Sequence, residues 1–137
     1  MSFAGMNYLA IVLAAIAAFG FGSIYYMSLS GPWLAAVGKR KEDIKPAAGP
    51  FIATFIAQLV MAWVLAGTLA HLGPGQVTLK NGIITAGFIW LGFVLTSMVV
   101  NNAFAGRKTM LTVIDGIHWL GVLVIQGAVI GAMGVKA

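Results

Sequence analysis

Four apolar stretches, each about twenty residues long, constrain this chain more than anything else in it. They run over 7–27, 51–70, 82–103 and 111–133, with polar loops at 28–50 and 104–110. A helix needs roughly 20 apolar residues to cross the hydrocarbon layer. Within that layer every backbone N–H and C=O must find its partner inside the protein, which leaves helices or closed barrels. The pattern therefore predicts an all-α bundle of four transmembrane helices forming a single domain over residues 1–137. Composition points the same way: 61% of residues are hydrophobic and 8% charged, against about 45–50% and about 25% in a soluble domain. Such a chain cannot cover a water-facing surface, so membrane lipids are expected partners. The N-terminal MSFAGMNY has no Lys or Arg ahead of the first apolar run, so an uncleaved first helix is expected rather than a signal peptide.

The charges give an orientation. Lys39, Arg40, Lys41 and Lys45 fall between the first and second helices, and Arg107 and Lys108 between the third and fourth. Lys80 and Lys136 lie on the opposite side. The positive-inside rule then puts both basic loops in the cytoplasm and both termini outside. The same charges do not form a basic face on a soluble module, so no nucleic-acid partner is expected. After Ser30-Gly31-Pro32 breaks the first helix, Trp33, Leu34 and Val37 fall on one face ahead of the basic cluster. That is the pattern of a short interfacial amphipathic helix.

Small residues mark packing seams. Ala14, Ala18 and Gly22 recur at intervals of four, and Gly127 and Gly131 form a GxxxG pair. Such spacing lets helices approach closely in lipid. Four helices enclose only a narrow interior, so a homodimer using the seams of the first and fourth helices is expected, or membership of a larger membrane complex. A shift of 74 positions lays the third helix on the first, pairing Phe19 with Phe93 and Ser23 with Ser97; a shift of 60 lays the fourth on the second, pairing Gln58 with His118. A parallel duplication is one reading of this, and the ease of aligning apolar helices is the other.

Polar residues inside the spans are few and gather toward the cytoplasmic half. Asp115 is the one acidic residue in any apolar stretch. His118 is three residues on and shares its face, about 4.5 Å deeper along the axis. Asn101 and Asn102 end the third helix, Tyr25 and Tyr26 end the first, and Gln58 lies somewhat deeper on the second. Asp115, about one turn inside the interface, has two readings. It is a structural group favoured by the helix N-terminus and paired with Arg107 or Lys108, or an ionisable group facing a cavity with His118 as its proton partner. Trp33 reads as interfacial, with Tyr25 and Tyr26. Trp63, Trp90 and Trp119 read either as core packing or as the lining of a cavity for a flat apolar ligand such as a quinone or a lipid.

No complete reaction centre is visible. Asp115 and His118 supply two ligands where a metal site needs three or four, and His71 is on the other side by topology. There is no phosphate loop after a strand and no cysteine. No catalytic residue, metal or cofactor is expected, and the chain does not read as an enzyme.

The stretch LGFVLTSMVVNNAFAGRKTMLTVIDGIHWLGVLVIQGAVIGAM carries a family likeness. Its Leu91-Gly92-Phe93, Asn101 or Asn102, Phe104, Gly106-Arg107, Asp115, Gly116, His118 and Gly127, with Asn7-Tyr8, Phe19, Gly22, Tyr26 and Trp33 earlier, resemble small four-helix bacterial membrane proteins known only as a domain of unknown function. The resemblance spans nearly the whole chain. It implies a bacterial inner-membrane protein and no particular activity. It also implies that an amide often stands at the position of Asp115, which argues against obligatory proton chemistry there. The expected function is binding or transport of a small, partly apolar ligand through Tyr26, Gln58, Asn101, Asn102, Asp115 and His118. The alternative is a non-catalytic accessory or scaffold subunit.

Overall fold

The structure, a computed structural model, describes residues 3–136. Among these residues it is entirely helical. Helix α1 spans Tyr8–Ser28, α2 Ser30–Val37, α3 Ala48–His71, α4 Leu79–Phe104 and α5 Thr109–Met133. All but α2 are long and apolar enough to cross a membrane.

Local chemistry sets the helix ends. The Asn7 side chain accepts from the Ala10 N–H at 3.1 Å, and the Thr78 hydroxyl accepts from the Asn81 N–H at 3.2 Å, each satisfying a donor that the first turn leaves free. Helix α3 begins at Ala48, before Pro50, because a proline in the first turn withholds an N–H that would have had no partner there. Between α4 and α5 the chain reverses at Gly106, whose φ of +65° favours glycine. Helix α5 begins at Thr109 rather than at 111, so Asp115 lies well into its second turn. That is deeper than the sequence suggested, and beyond the first turn in which the helix dipole favours a carboxylate.

Helix α5 is the hub. It packs along α4 and α1 and more lightly on α3, while α1 packs on α3. Helices α3 and α4 barely meet. A duplicated pair of hairpins about a two-fold axis would make the α1–α5 and α3–α4 contacts equal, and here they are far apart. One local echo does match: Ser23 and Ser97 each donate to the carbonyl four residues back, Phe19 and Phe93.

The seams of small residues are used inside the chain. Ala10, Ala14 and Ala18 are buried on α1, and Ala14 joins the core formed with Ala62, Leu65 and Leu69 of α3 and Leu123 and Ile130 of α5. A Cβ on Gly82 would overlap the Gly127 carbonyl, and one on Gly131 the Thr78 carbonyl. The GxxxG pair thus holds α4 against α5 and is not free for a second copy; a dimer would have to use another face. One indole and one amide add interhelical bonds. Trp90 Nε1–H donates to the Gly116 carbonyl at 2.8 Å, and Gln126 Nε2–H to the Gln58 carbonyl at 2.9 Å.

Helix α2 does more than lie at an interface. Ala36 is buried with Leu111 and Ile114 of α5, with Trp33 and Val37 packed beside them. Lys108 Nζ donates to the Ala35 carbonyl at 3.2 Å. Helix α2 is therefore docked over the basic end of the bundle.

Candidate functional site

Helix α2, docked there, covers one side of an open cavity of about 880 Å³ between α1, α2, α3 and α5. Helix α3 supplies one wall through Pro50, Thr54 and Gln58, which fall four apart and so share a face. The opposite wall is Phe19, Gly22, Ser23 and Tyr26 of α1. Asp115, His118 and Trp119 of α5 form the floor, and Trp33, Leu34 and the loop residues Lys41 and Ile44 the cover. Gln58 and Trp119 each stand ten residues into their helices, so the cavity reaches about 15 Å from the basic end. The lining is mostly apolar with a few polar groups, the usual make-up of a small-molecule site.

The two adjacent tyrosines turn inward rather than serving as a surface belt. Tyr26 Oη–H donates to Asp115 Oδ1 at 2.7 Å, and Tyr25 Oη–H to the Ile114 carbonyl at 2.7 Å. Both bonds cross from α1 to α5 beside the cavity. His118 is 4% exposed. Its ring lies 4.7 Å from that of Tyr26 and 4.7 Å from that of Trp119, centre to centre. Gly22 makes room for it, since a Cβ there would stand 2.7 Å from His118 Nε2.

Hydrogen bonding in the site is incomplete. Ser23 and Thr54 donate to their own helix backbones, at 3.0 and 2.7 Å, which is how hydroxyls ordinarily settle in apolar helices. Gln58 and His118 are not settled in this way. Gln58 is 1% exposed, and no protein group among the described residues reaches its Nε2 or Oε1; His118 Nδ1 is likewise unpartnered. A buried polar group without a partner costs about 1–3 kcal/mol.

The cavity thus gathers Tyr26, Gln58, Asp115 and His118. Asn101 and Asn102 lie outside it. Asn102 Nδ2–H donates to Thr112 Oγ1 at 2.9 Å, tying α4 to α5, and Asn101 faces outward. The reason is that α4 packs chiefly on α5 and contributes no residue to the cavity lining. Of the two readings of Asp115, the pairing with a loop cation is not seen among the described residues: Lys108 is engaged with α2, and Arg107 forms no ion pair with the carboxylate. Of the tryptophans, Trp33 and Trp119 line the cavity, while Trp63 stacks on Phe3 at 4.5 Å and Trp90 braces α5. Phe51, Thr54 and Lys41 were not anticipated. The four-residue spacing of Pro50, Thr54 and Gln58 was the available signal for the α3 wall. No cluster of three metal-ligating side chains occurs among the described residues.

A family model described as a protein of unknown function (DUF1761) matches residues 9–131, which includes every cavity-lining residue named above. The chain belongs to the DUF1761 family. No curated protein and no solved structure matches it. The DUF1761 match thus reaches all four long helices but carries no chemistry, and the site's own geometry has to supply any functional reading.

Proposed function

We propose that this DUF1761 member binds a small, partly apolar ligand in the cavity under α2, in the cytoplasmic half of a bacterial inner membrane. The observation that carries the reading is Gln58: a primary amide, 1% exposed, lining a cavity of about 880 Å³ with neither polar atom satisfied by protein. A group so placed is costly unless something entering the cavity bonds to it. Tyr26, Asp115 and His118 offer further polar contacts, and Phe19, Phe51, Trp33 and Trp119 an apolar bed.

Binding is better supported than transport. Beyond the cavity, Leu65 and Leu69 of α3 and Leu123 and Ile130 of α5 close the core. Transport requires a second conformation that opens this region to the other side.

The reading is tested by thermal unfolding of the purified protein in mild detergent with fractionated bacterial lipid extract. One or more fractions should raise the Tm of the wild type, with smaller rises for His118→Ala and Asp115→Asn. Equal rises in all three proteins would show the ligand binding elsewhere. The accessory-subunit reading draws on α4, whose outer face leaves Phe88, Leu91, Phe93 and the polar Asn101 uncovered. It predicts a partner that survives gentle solubilisation, and crosslinks that recover only self-contacts would count against it.

A further inference from the structure

The charge of the ligand can be read from Asp115, an inference that rests on the ligand-site reading. Asp115 lines the cavity, and the described residues give its carboxylate one hydrogen bond, from Tyr26. They give it no counter-cation. The ion pair among them joins Arg40 to Asp43 at 3.7 Å, on the exposed loop, and Lys108 is bound to α2. Lys41 is the one Lys or Arg in the lining; it is exposed, and its flexible stem lets the ammonium reach water, while His118, the other basic side chain there, forms no ion pair with the carboxylate among the described residues. A carboxylate in mostly apolar surroundings is expensive without an opposite charge. A single phenol does not supply one.

The surfaces near the carboxylate select further. Trp119 shares the floor with Asp115, Tyr26 and Phe19 stand on the α1 wall, Phe51 lies on the α3 side and Trp33 in the cover. Aromatic faces carry negative potential and attract cations, most strongly where water is excluded. A hydrated metal ion is a poorer fit, because sites for such ions usually draw on several carboxylate or imidazole ligands, and no group of three His, Cys, Asp or Glu side chains occurs among the described residues. An organic cation needs only one carboxylate and apolar walls.

We infer that the cavity takes a lipophilic organic cation, an alkyl- or aryl-substituted ammonium or its phosphonium analogue, with its charge against Asp115 and its body between the aromatic walls. The unpartnered Gln58 amide then meets a polar substituent at the inner end. The bond from Tyr26 fixes the carboxylate and leaves Oδ2 to face the ligand.

The test uses the full chain in nanodiscs of phosphatidylcholine and three probes of similar shape: tetraphenylphosphonium, tetraphenylborate and uncharged triphenylphosphine oxide. Saturable binding is read by equilibrium dialysis against empty nanodiscs. Tetraphenylphosphonium should bind the wild type at least about tenfold tighter than the uncharged probe. Asp115→Asn should remove that preference and leave the uncharged probe within about twofold. Asp115→Glu should restore it. A wild type that shows no preference for the cation overturns the inference without any variant, as does a preference that survives Asp115→Asn. Tighter tetraphenylborate binding would overturn it in favour of Lys41. In each of these cases saturable binding of the uncharged probe leaves the ligand-site reading standing; if no probe binds saturably and no lipid fraction stabilises the protein, both fail.

Discussion

Replacing Gln58 by leucine separates a ligand site from an ordinary polar contact in the core. The substitution keeps a side chain of similar size and removes both amide atoms. The main-chain carbonyl of Gln58, which accepts from Gln126 Nε2 at 2.9 Å, is untouched, so the clip between α3 and α5 survives. Neither amide atom has a protein partner, and each buried unsatisfied group costs about 1–3 kcal/mol. Water reaching the cavity recovers part of that. The ligand-free variant should therefore be as stable as the wild type or more stable, by up to about 2 kcal/mol. It should also lose most of its response to a stabilising lipid fraction, because the group that bonds to the ligand has gone. The assay is denaturant unfolding of delipidated protein in one detergent, followed by tryptophan fluorescence and circular dichroism, with and without that fraction. A loss of more than about 1.5 kcal/mol in the ligand-free variant would refute the reasoning. It would mean that the amide is bonded within the protein and does not look into the cavity.

Packing, hydrogen bonding and topology each give a further outcome to measure. Gly82→Ala sets a methyl against the Gly127 carbonyl, a backbone atom that cannot swing aside, and should cost about 1–3 kcal/mol in the same unfolding assay. Gly116→Ala is its control: the nearest atom is Leu95 Cδ1 at 3.4 Å, and the cost should stay below about 0.5 kcal/mol. Tyr26→Phe removes the bond to Asp115 and should lower stability by about 0.6–1.7 kcal/mol, the range for hydrogen bonds between helices in lipid rather than the larger value for charged pairs in water-soluble cores. Because the chain has no cysteine, single cysteines report topology directly: Ala105→Cys should be labelled from the cytoplasm and Val135→Cys from outside, and reversed labelling would overturn the proposed orientation.

The four spanning helices were legible because lipid imposes a length and a composition that few other folds share. The polar cluster was legible in part. Asp115 and His118 are three apart on one helix, so their common face comes from helical geometry alone. Gln58 stood out because a primary amide is conspicuous in an apolar run. Asn101 and Asn102 share the depth of the cluster, but depth along a helix does not say which neighbours that helix packs on, and α4 lends no residue to the cavity lining. Helix α2 was recognisable as amphipathic, but a sequence does not say whether an apolar face meets headgroups or the rest of the protein. That face covers Leu111 and Ile114, and the covering makes the cavity. The GxxxG pair identified a close helix approach without identifying its partner. Gly82, a lone glycine near the start of α4, supplies it.

Native mass spectrometry of the protein released from nanodiscs assembled with bacterial lipid decides whether the cavity holds a ligand. The wild type is compared with Thr54→Trp, which places an indole in the cavity from the α3 wall. The wild type should carry a defined small-molecule adduct, and the folded variant should lack it. The same adduct on both proteins, or bare protein in both, would contradict the claim that this cavity is a ligand site.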